Sequence, residues 1–247
     1  MINEITSKQN EIIKSARALQ QRKERKDKNL FIIEGARFVA ELGPNIKIKY
    51  IIATKEHDIS AFECEKKYYV SRELFEYISD VKTPQGIAAV CEAPKYEEDD
   101  LYGAKRVLYL ESVQNADNVG AIIRSAACLG YECVVLSSDC ADPYSPKALR
   151  ASAGNIFKIK VYTQKDLSIL EKLKQNDFKI WGAHLRGDCF TKLDDEKGVL
   201  IIGNEGNGMS DEAAALCDKL IKIKMYSDCE SLNAACAAAI LMYISME

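Results

Sequence analysis

Two histidines, five prolines and one tryptophan among 247 residues set the first limits on this sequence. His57 and His184 stand far apart, and none of the nine cysteines is spaced as Cys-x-x-Cys, so no metal site is expected. Thiols in odd number and without pairing signals fit reduced, mostly core cysteines in a cytoplasmic protein. A membrane span needs roughly 20 apolar residues. The most apolar run, LNAACAAAILMYI at 232–244, falls short, and MINEITSKQNEIIKSAR at the start is polar, with no signal-like stretch. The GxxxxGK[ST] phosphate loop is missing, and GNEGNG at 203–208 reverses the glycine order of the dinucleotide fingerprint. The net charge of −3 argues against a chain that is basic throughout.

What is present is ordinary in bulk and uneven in detail. Hydrophobic residues make up 47% and charged ones 29%, enough for one large domain or two modest ones to bury a core. Between Lys8 and Lys28, eight basic residues face three acidic ones, a local surplus of five. Such a block reads either as a solvated helix face or as an arm for nucleic-acid phosphates. Strand-like runs at 30–36, 47–54, 67–72 and 86–93 alternate with helical stretches ARFVAELG, SAFECEK and ELFEYISD. The acidic, aperiodic PKYEEDDLYG at 94–103 then reads as a linker. Beyond it strands are predicted at 106–111, 132–137, 156–162, 178–185, 197–203 and 219–225, and helices at 118–129, 145–153, 165–176, 210–217 and 231–246. That order predicts an α/β fold with a mostly parallel sheet, whose ligands sit at the carboxyl ends of the strands.

Three loops at such ends carry unusual polar content: SVQNADNVG (112–120), GNEGNGMS (203–210) and YSDCESLN (226–233). Each has a plain reading. Asp117 or Asn118 caps one helix, Ser231 caps another, and the glycines make a tight turn. Arg124 is harder to set aside, because a guanidinium half-buried on an apolar helix needs a partner. Glu205 at the centre of the glycine loop disfavours a phosphate ligand there.

Taken together, NADNVGAIIRSAACLG (115–130), LIIGNEGNGMS (200–210) and IKIKMYSDCESLNAACAAAIL (221–241) resemble motifs one, two and three of the SpoU (TrmH) RNA 2′-O-ribose methyltransferases. ITSKQNEIIKSARALQQRKERKDKNLFIIEGARFV (5–39) is similar to the start of that family's N-terminal substrate-binding domain, and SPKALRASAGNIFKI (145–159) to a segment between motifs one and two. The resemblance implies a small ribosomal-protein-like α/β domain over 1–95, a linker at 96–104, and over 105–247 a SPOUT domain, an α/β fold with a trefoil knot. It also implies S-adenosylmethionine as methyl donor, ribosomal or transfer RNA as substrate, and a homodimer.

The same resemblance assigns residues. Gly203, Ile223, Met225 and Leu232 would hold the donor, while Asn118, Arg124, Glu205, Ser231 and Asn233 would stand at the catalytic centre. A cationic sulfonium tolerates Glu205 where a phosphate would not. Glu205 would position Arg124 or a substrate group, and Arg124 would serve either as base or as a phosphate clamp. Lys8, Arg22, Lys23, Arg25, Lys147 and Arg150 would contact RNA. Two positions depart from the family pattern: Ala116 and Lys224 stand where prolines are common. Three other readings remain: a base methyltransferase on the same scaffold, a non-catalytic RNA-binding protein, and a dinucleotide-dependent oxidoreductase whose fingerprint is missing.

Overall fold

The computed structural model describes residues 2–163, 165–189, 197–226 and 231–245. The chain forms two compact units, Met1–Pro94 with Tyr144–Leu149, and Lys95–Pro143 with Arg150–Glu247.

The first unit runs β1 (Ile2–Ile5), α1 (Glu11–Ala18), α2 (Arg22–Lys28), β2 (Leu30–Glu34), α3 (Ala36–Ala40), β3 (Ile48–Ala53), β4 (Lys66–Val70), α4 (Arg72–Ile78) and β5 (Ile87–Glu92). Its sheet has the order β1-β4-β3-β5-β2, with β5 antiparallel to both neighbours and the other pairs parallel. Local chemistry sets the helix ends. Asn10 caps α1 by accepting from the Ile12 amide, Ser71 caps α4 by accepting from Leu74, and Asn29 at φ 52° ends α2 in the left-handed region. Ile13, Ala16, Leu74, Phe75 and Ile78 then face the sheet and are buried.

Two expectations for this unit need correcting. SAFECEK is not a helix: Asp58 closes a turn onto the Ser60 amide, and only twelve residues lie between the end of β3 and the start of β4. Strand β1 was not foreseen, since INEI is short and polar, and it pairs with β4 along one edge of the sheet.

The second unit runs α5 (Glu98–Tyr102), β6 (Arg106–Leu110), α6 (Ala116–Cys128), β7 (Cys133–Leu136), α7 (Pro146–Ser152), β8 (Lys160–Tyr162), α8 (Ser168–Gln175), β9 (Lys179–Cys189), β10 (Gly198–Ile202), α9 (Asp211–Leu216), β11 (Lys219–Lys222) and α10 (Ala234–Ile244). Helix α7 straddles the division between the units. The six strands are ordered β11-β9-β10-β6-β7-β8, and every pair is parallel. The predicted strand at 156–162 is shorter: Ala153 and Gly154 reverse the backbone at positive φ, Asn155–Lys158 forms a 3-10 turn, and pairing with β7 starts only at Lys160.

Central strands of a parallel sheet are buried on both faces and read as continuous apolar runs. All five residues of β10, GVLII, are buried. Gly198 is required there, because a Cβ would lie 1.9 Å from the Trp181 ring. Inside residues 94–103, read as linker, α5 sends Leu101 into the same core as Tyr109, Leu170, Leu173 and Val199. Strands β6 and β10 pair in register from Arg106↔Gly198 to Leu110↔Ile202, so the loops that follow them leave the sheet side by side. That adjacency places the site.

Candidate active site

The ladder between β6 and β10 runs one residue past the strands, where the Glu111 amide donates to the Ile202 carbonyl at 2.9 Å. The glycine loop then folds on itself. Asn204 and Gly208 exchange backbone hydrogen bonds at 2.9 and 3.0 Å, and the Asn204 Oδ1 accepts from the amides of Gly206 and Asn207. The Asn204 side-chain amide donates to the Ser112 carbonyl at 2.7 Å, tying this loop to the one after β6. Ser112 sits at φ 57°, an uncommon conformation for a non-glycine residue. A second tie comes from Glu111, only 8% exposed, which accepts from the Ser210 amide at the start of α9. Gly203 lies so close to the returning chain that a Cβ would fall 2.3 Å from the Met209 nitrogen.

This scaffold fixes a polar chain through three distant segments. The Glu205 carboxylate accepts from the amides of Gln114 and Asn115, both at 3.1 Å, and from the Asn118 Nδ2 at 2.9 Å. The Asn118 Oδ1 in turn accepts from the Asn233 Nδ2 at 3.0 Å. Finally, the Asn233 Oδ1 caps α10 by accepting from Ala235 and Cys236. The polarity is consistent along its length. An ionised carboxylate can only accept, so the amide group of Asn118 faces it, and each next amide follows. Partial burial pushes the Glu205 carboxyl up, but bonds from Asn118, its own loop, Gln114 and Asn115 outweigh this and hold it below the ordinary range. The nearby N-terminus of α6 favours the same charge.

Some local expectations shift. Asn115, rather than Asp117 or Asn118, caps α6, accepting from the Asp117 amide at 2.9 Å. That frees Asn118, 7% exposed, to join the polar chain. Ala116 takes the first helical position, where proline is favoured but alanine also fits. At α10, Asn233 rather than Ser231 provides the cap.

Beside the polar chain lies a pocket of about 420 Å³. Gly203, Glu205, Ile223, Met225, Ser231 and Leu232 all line it. So do His184 and Leu185 in the middle of β9, which sequence reasoning passed over because they lie outside the glycine and Ser-Leu-Asn loops. The His184 Nδ1 accepts from the Arg186 amide at 3.0 Å.

Arg124 stands apart. It is exposed, and no hydrogen bond or ion pair holds it among the described residues. It lies six residues beyond Asn118 on α6, about 9 Å along the axis and roughly 120° round it. The reading of a half-buried guanidinium with a partner is therefore corrected, and so is the pairing of Glu205 with Arg124. Glu205 instead positions Asn118 and the backbone at 114–115.

Of the residues assigned to RNA, Lys8 is exposed and paired with Glu73 at 2.9 Å, and Arg22 and Lys23 are exposed on the first turn of α2. Arg25 is corrected. It is 6% exposed, and its guanidinium donates to the Leu19 and Gln20 carbonyls at 2.7 and 2.9 Å, closing the end of α1. Lys147 and Arg150 are exposed on α7. No cluster of three metal-ligating side chains occurs among the described residues, and no described helix is long and apolar enough to cross a membrane. The eight described cysteines are free.

The model of the SpoU rRNA Methylase family matches residues 105–243, and that of the MRM3-like substrate binding domain matches residues 10–89. The chain is 35% identical, over 98% of both lengths, to the 23S rRNA (guanosine(2553)-2′-O)-methyltransferase RlmP of Bacillus subtilis. An AdoMet-bound rRNA methyltransferase from Sinorhizobium meliloti superposes with a TM-score of 0.87 at 25% identity, covering 98% of this chain and 97% of that one. A TrmH-family RNA methyltransferase structure from Porphyromonas gingivalis gives 0.83 at 29% identity, over 94% and 95%.

Proposed function

We infer the roles of individual residues from one premise: the chain belongs to the SpoU rRNA methylase family and is an S-adenosylmethionine-dependent RNA 2′-O-ribose methyltransferase. We propose that its substrate is a guanosine ribose of large-subunit ribosomal RNA, as the name of the Bacillus subtilis relative specifies for that protein. On this reading the first unit grips RNA and the second transfers the methyl group, in the cytoplasm.

The pocket suits the donor. Its volume is in the range of small-molecule sites, about 300–1,000 Å³. Ile202, Ile223, Leu232 and Leu241 offer apolar surface, the glycine loop offers backbone groups, and Glu205, the one carboxylate lining the pocket among the described residues, is ionised. S-adenosylmethionine bound there supplies an electrophilic methyl on a cationic sulfur. Gly203, Ile223, Met225 and Leu232 hold the donor, and Glu205 keeps the loop and Asn118 in place rather than touching phosphate. Asn118, Asn233 and Ser231 fix the ribose so that its 2′-oxygen approaches in line, its proton passing to solvent water as the oxygen–methyl bond forms and the sulfur–methyl bond breaks. Arginine stays protonated in proteins. Arg124, exposed and unpaired, therefore acts as a charged clamp on the substrate phosphate.

A second copy of the chain completes the enzyme. Helix α10 is apolar on every side, yet Ile240 is 38% and Tyr243 56% exposed on it. A helix hydrophobic all round belongs in an interior. The homodimer supplies one and carries Arg124, turned away from its own polar chain, toward the neighbouring copy.

The observation that carries this reading is the Glu205–Asn118–Asn233 chain, whose Glu205 lines the pocket. Incubation with methyl-labelled donor and deproteinised large-subunit RNA tests it. Label in the RNA is expected, and none in any ribosomal or transfer RNA would contradict it.

A further inference from the structure

Residues 219–226, KLIKIKMY, carry three lysines and no carboxylate in a chain whose net charge is −3. None of Lys219, Lys222 and Lys224 has a hydrogen bond or ion pair among the described residues. Burial alternates past the end of β11: Ile223 and Met225 are half-buried and line the pocket, while Lys224 and Tyr226 are exposed. Period two is the signature of an extended segment with two faces. One face serves the pocket and the other meets solvent.

Tyr226 is 84% exposed, the most exposed large apolar side chain among the described residues. A tyrosine ring so exposed, next to unpaired lysines, has the chemistry of a nucleic-acid contact. Unpaired bases are recognised by stacking on aromatic rings, and lysines neutralise the phosphates alongside. Lys224 strengthens the case by its place: it is exposed between Ile223 and Met225, both of which line the pocket, so a cation stands at the pocket's outer edge.

We propose that Tyr226 and Lys224 form a nucleotide-holding edge outside the donor pocket, with the Tyr226 ring stacked on an unpaired base of the RNA and the Lys224 ammonium on an adjoining phosphate. The edge sets which nucleotide presents its ribose at the Asn118–Asn233 pair. It rests on the reading of that pocket as the methyl-donor site.

The test is steady-state kinetics of the full-length enzyme on deproteinised large-subunit RNA, with donor affinity measured separately by calorimetry. Tyr226→Ala is expected to raise the KM for RNA about tenfold or more, with donor affinity, melting temperature and oligomeric state unchanged. Tyr226→Phe keeps the ring and should stay within about twofold of wild type. Lys224→Ala should lower the salt dependence of RNA binding by about one phosphate contact. An unchanged KM for RNA in Tyr226→Ala overturns the proposal. A loss of donor affinity or of the dimer in that variant also overturns it, assigning the ring to the pocket or to the contact between copies. Should the wild type itself fail to bind donor, the pocket reading has failed, which is a separate result.

Discussion

The Asn118 side-chain amide donates to the Glu205 carboxylate at 2.9 Å across 87 residues of sequence, joining the first turn of α6 to the glycine loop after β10. Because Asn118 also accepts from Asn233, the start of α10 is tied to both. Each link can be broken separately.

Glu205→Gln replaces an acceptor facing three donors with a group that is half donor. Methyl transfer should fall about a hundredfold or more, with only a small loss of stability because Glu205 is exposed. Its carboxyl is held below the usual value, so the bonds stabilise the fold above the unfolded-state value of 4.5 and are lost as pH falls through the lowered folded value. Melting curves below pH 4.5 should therefore show the wild type losing its advantage over Glu205→Gln.

Asn118→Ala removes a buried group and strips a partner from both neighbours. It should cost about 1–3 kcal/mol in chemical denaturation and abolish transfer. Asn233→Ala, which also deletes the cap of α10, should cost about 1 kcal/mol. The double variant should lose less than the sum, because the two changes share one bond.

How much of this was legible beforehand depended on whether the signal was local. β6 and β10 read as strands because each is a continuous apolar run. The loops at 112–120 and 203–210 follow β6 and β10 as expected, because parallel α/β order leaves few other arrangements, while residues 227–230 of the third loop lie outside the described residues. Non-local pairings were harder. β1 forms from four polar-leaning residues because β4 offers an edge, and the capping role of Asn115 shows only once Asn118 is engaged by Glu205. Arg25 sat within a basic run read as a solvated helix face or an arm for RNA phosphates, yet the carbonyls at the end of α1 draw it inside. His184 had no neighbouring motif to flag it, and only the folding of β9 beside β10 brings it to the pocket.

Arg124→Ala touches an exposed side chain, so stability should change by less than about 0.5 kcal/mol. Donor affinity by calorimetry should also hold, while transfer is lost. Arg124→Lys keeps the charge but not the bidentate fork and should recover only part of the activity.

Glu98 lies outside the site and tests the electrostatics of the second unit. Hydrogen bonds from Lys165, Lys172 and Tyr102 hold its carboxyl down at about 2. A lowered value stabilises the fold above pH 4.5 and loses that contribution as pH falls toward 2. Glu98→Gln should therefore melt earlier than wild type at neutral pH, and the two should converge in acid. High salt should narrow the gap as well, because the pairs are partly exposed.

Gly203→Ala would place a methyl group 2.3 Å from the Met209 nitrogen and force the loop outward. Calorimetry should show donor affinity lost before the fold is, with the melting temperature reduced but cooperative.

The central claim is that a ribose oxygen receives its methyl group beside the Asn118–Asn233 pair. Nucleoside mass spectrometry of large-subunit RNA, treated with isotope-labelled S-adenosylmethionine and either wild type or Asn118→Ala, tests it most directly. The account predicts labelled 2′-O-methylguanosine from the wild type and none from the variant. Label on a base, or undiminished ribose label from Asn118→Ala, would contradict it.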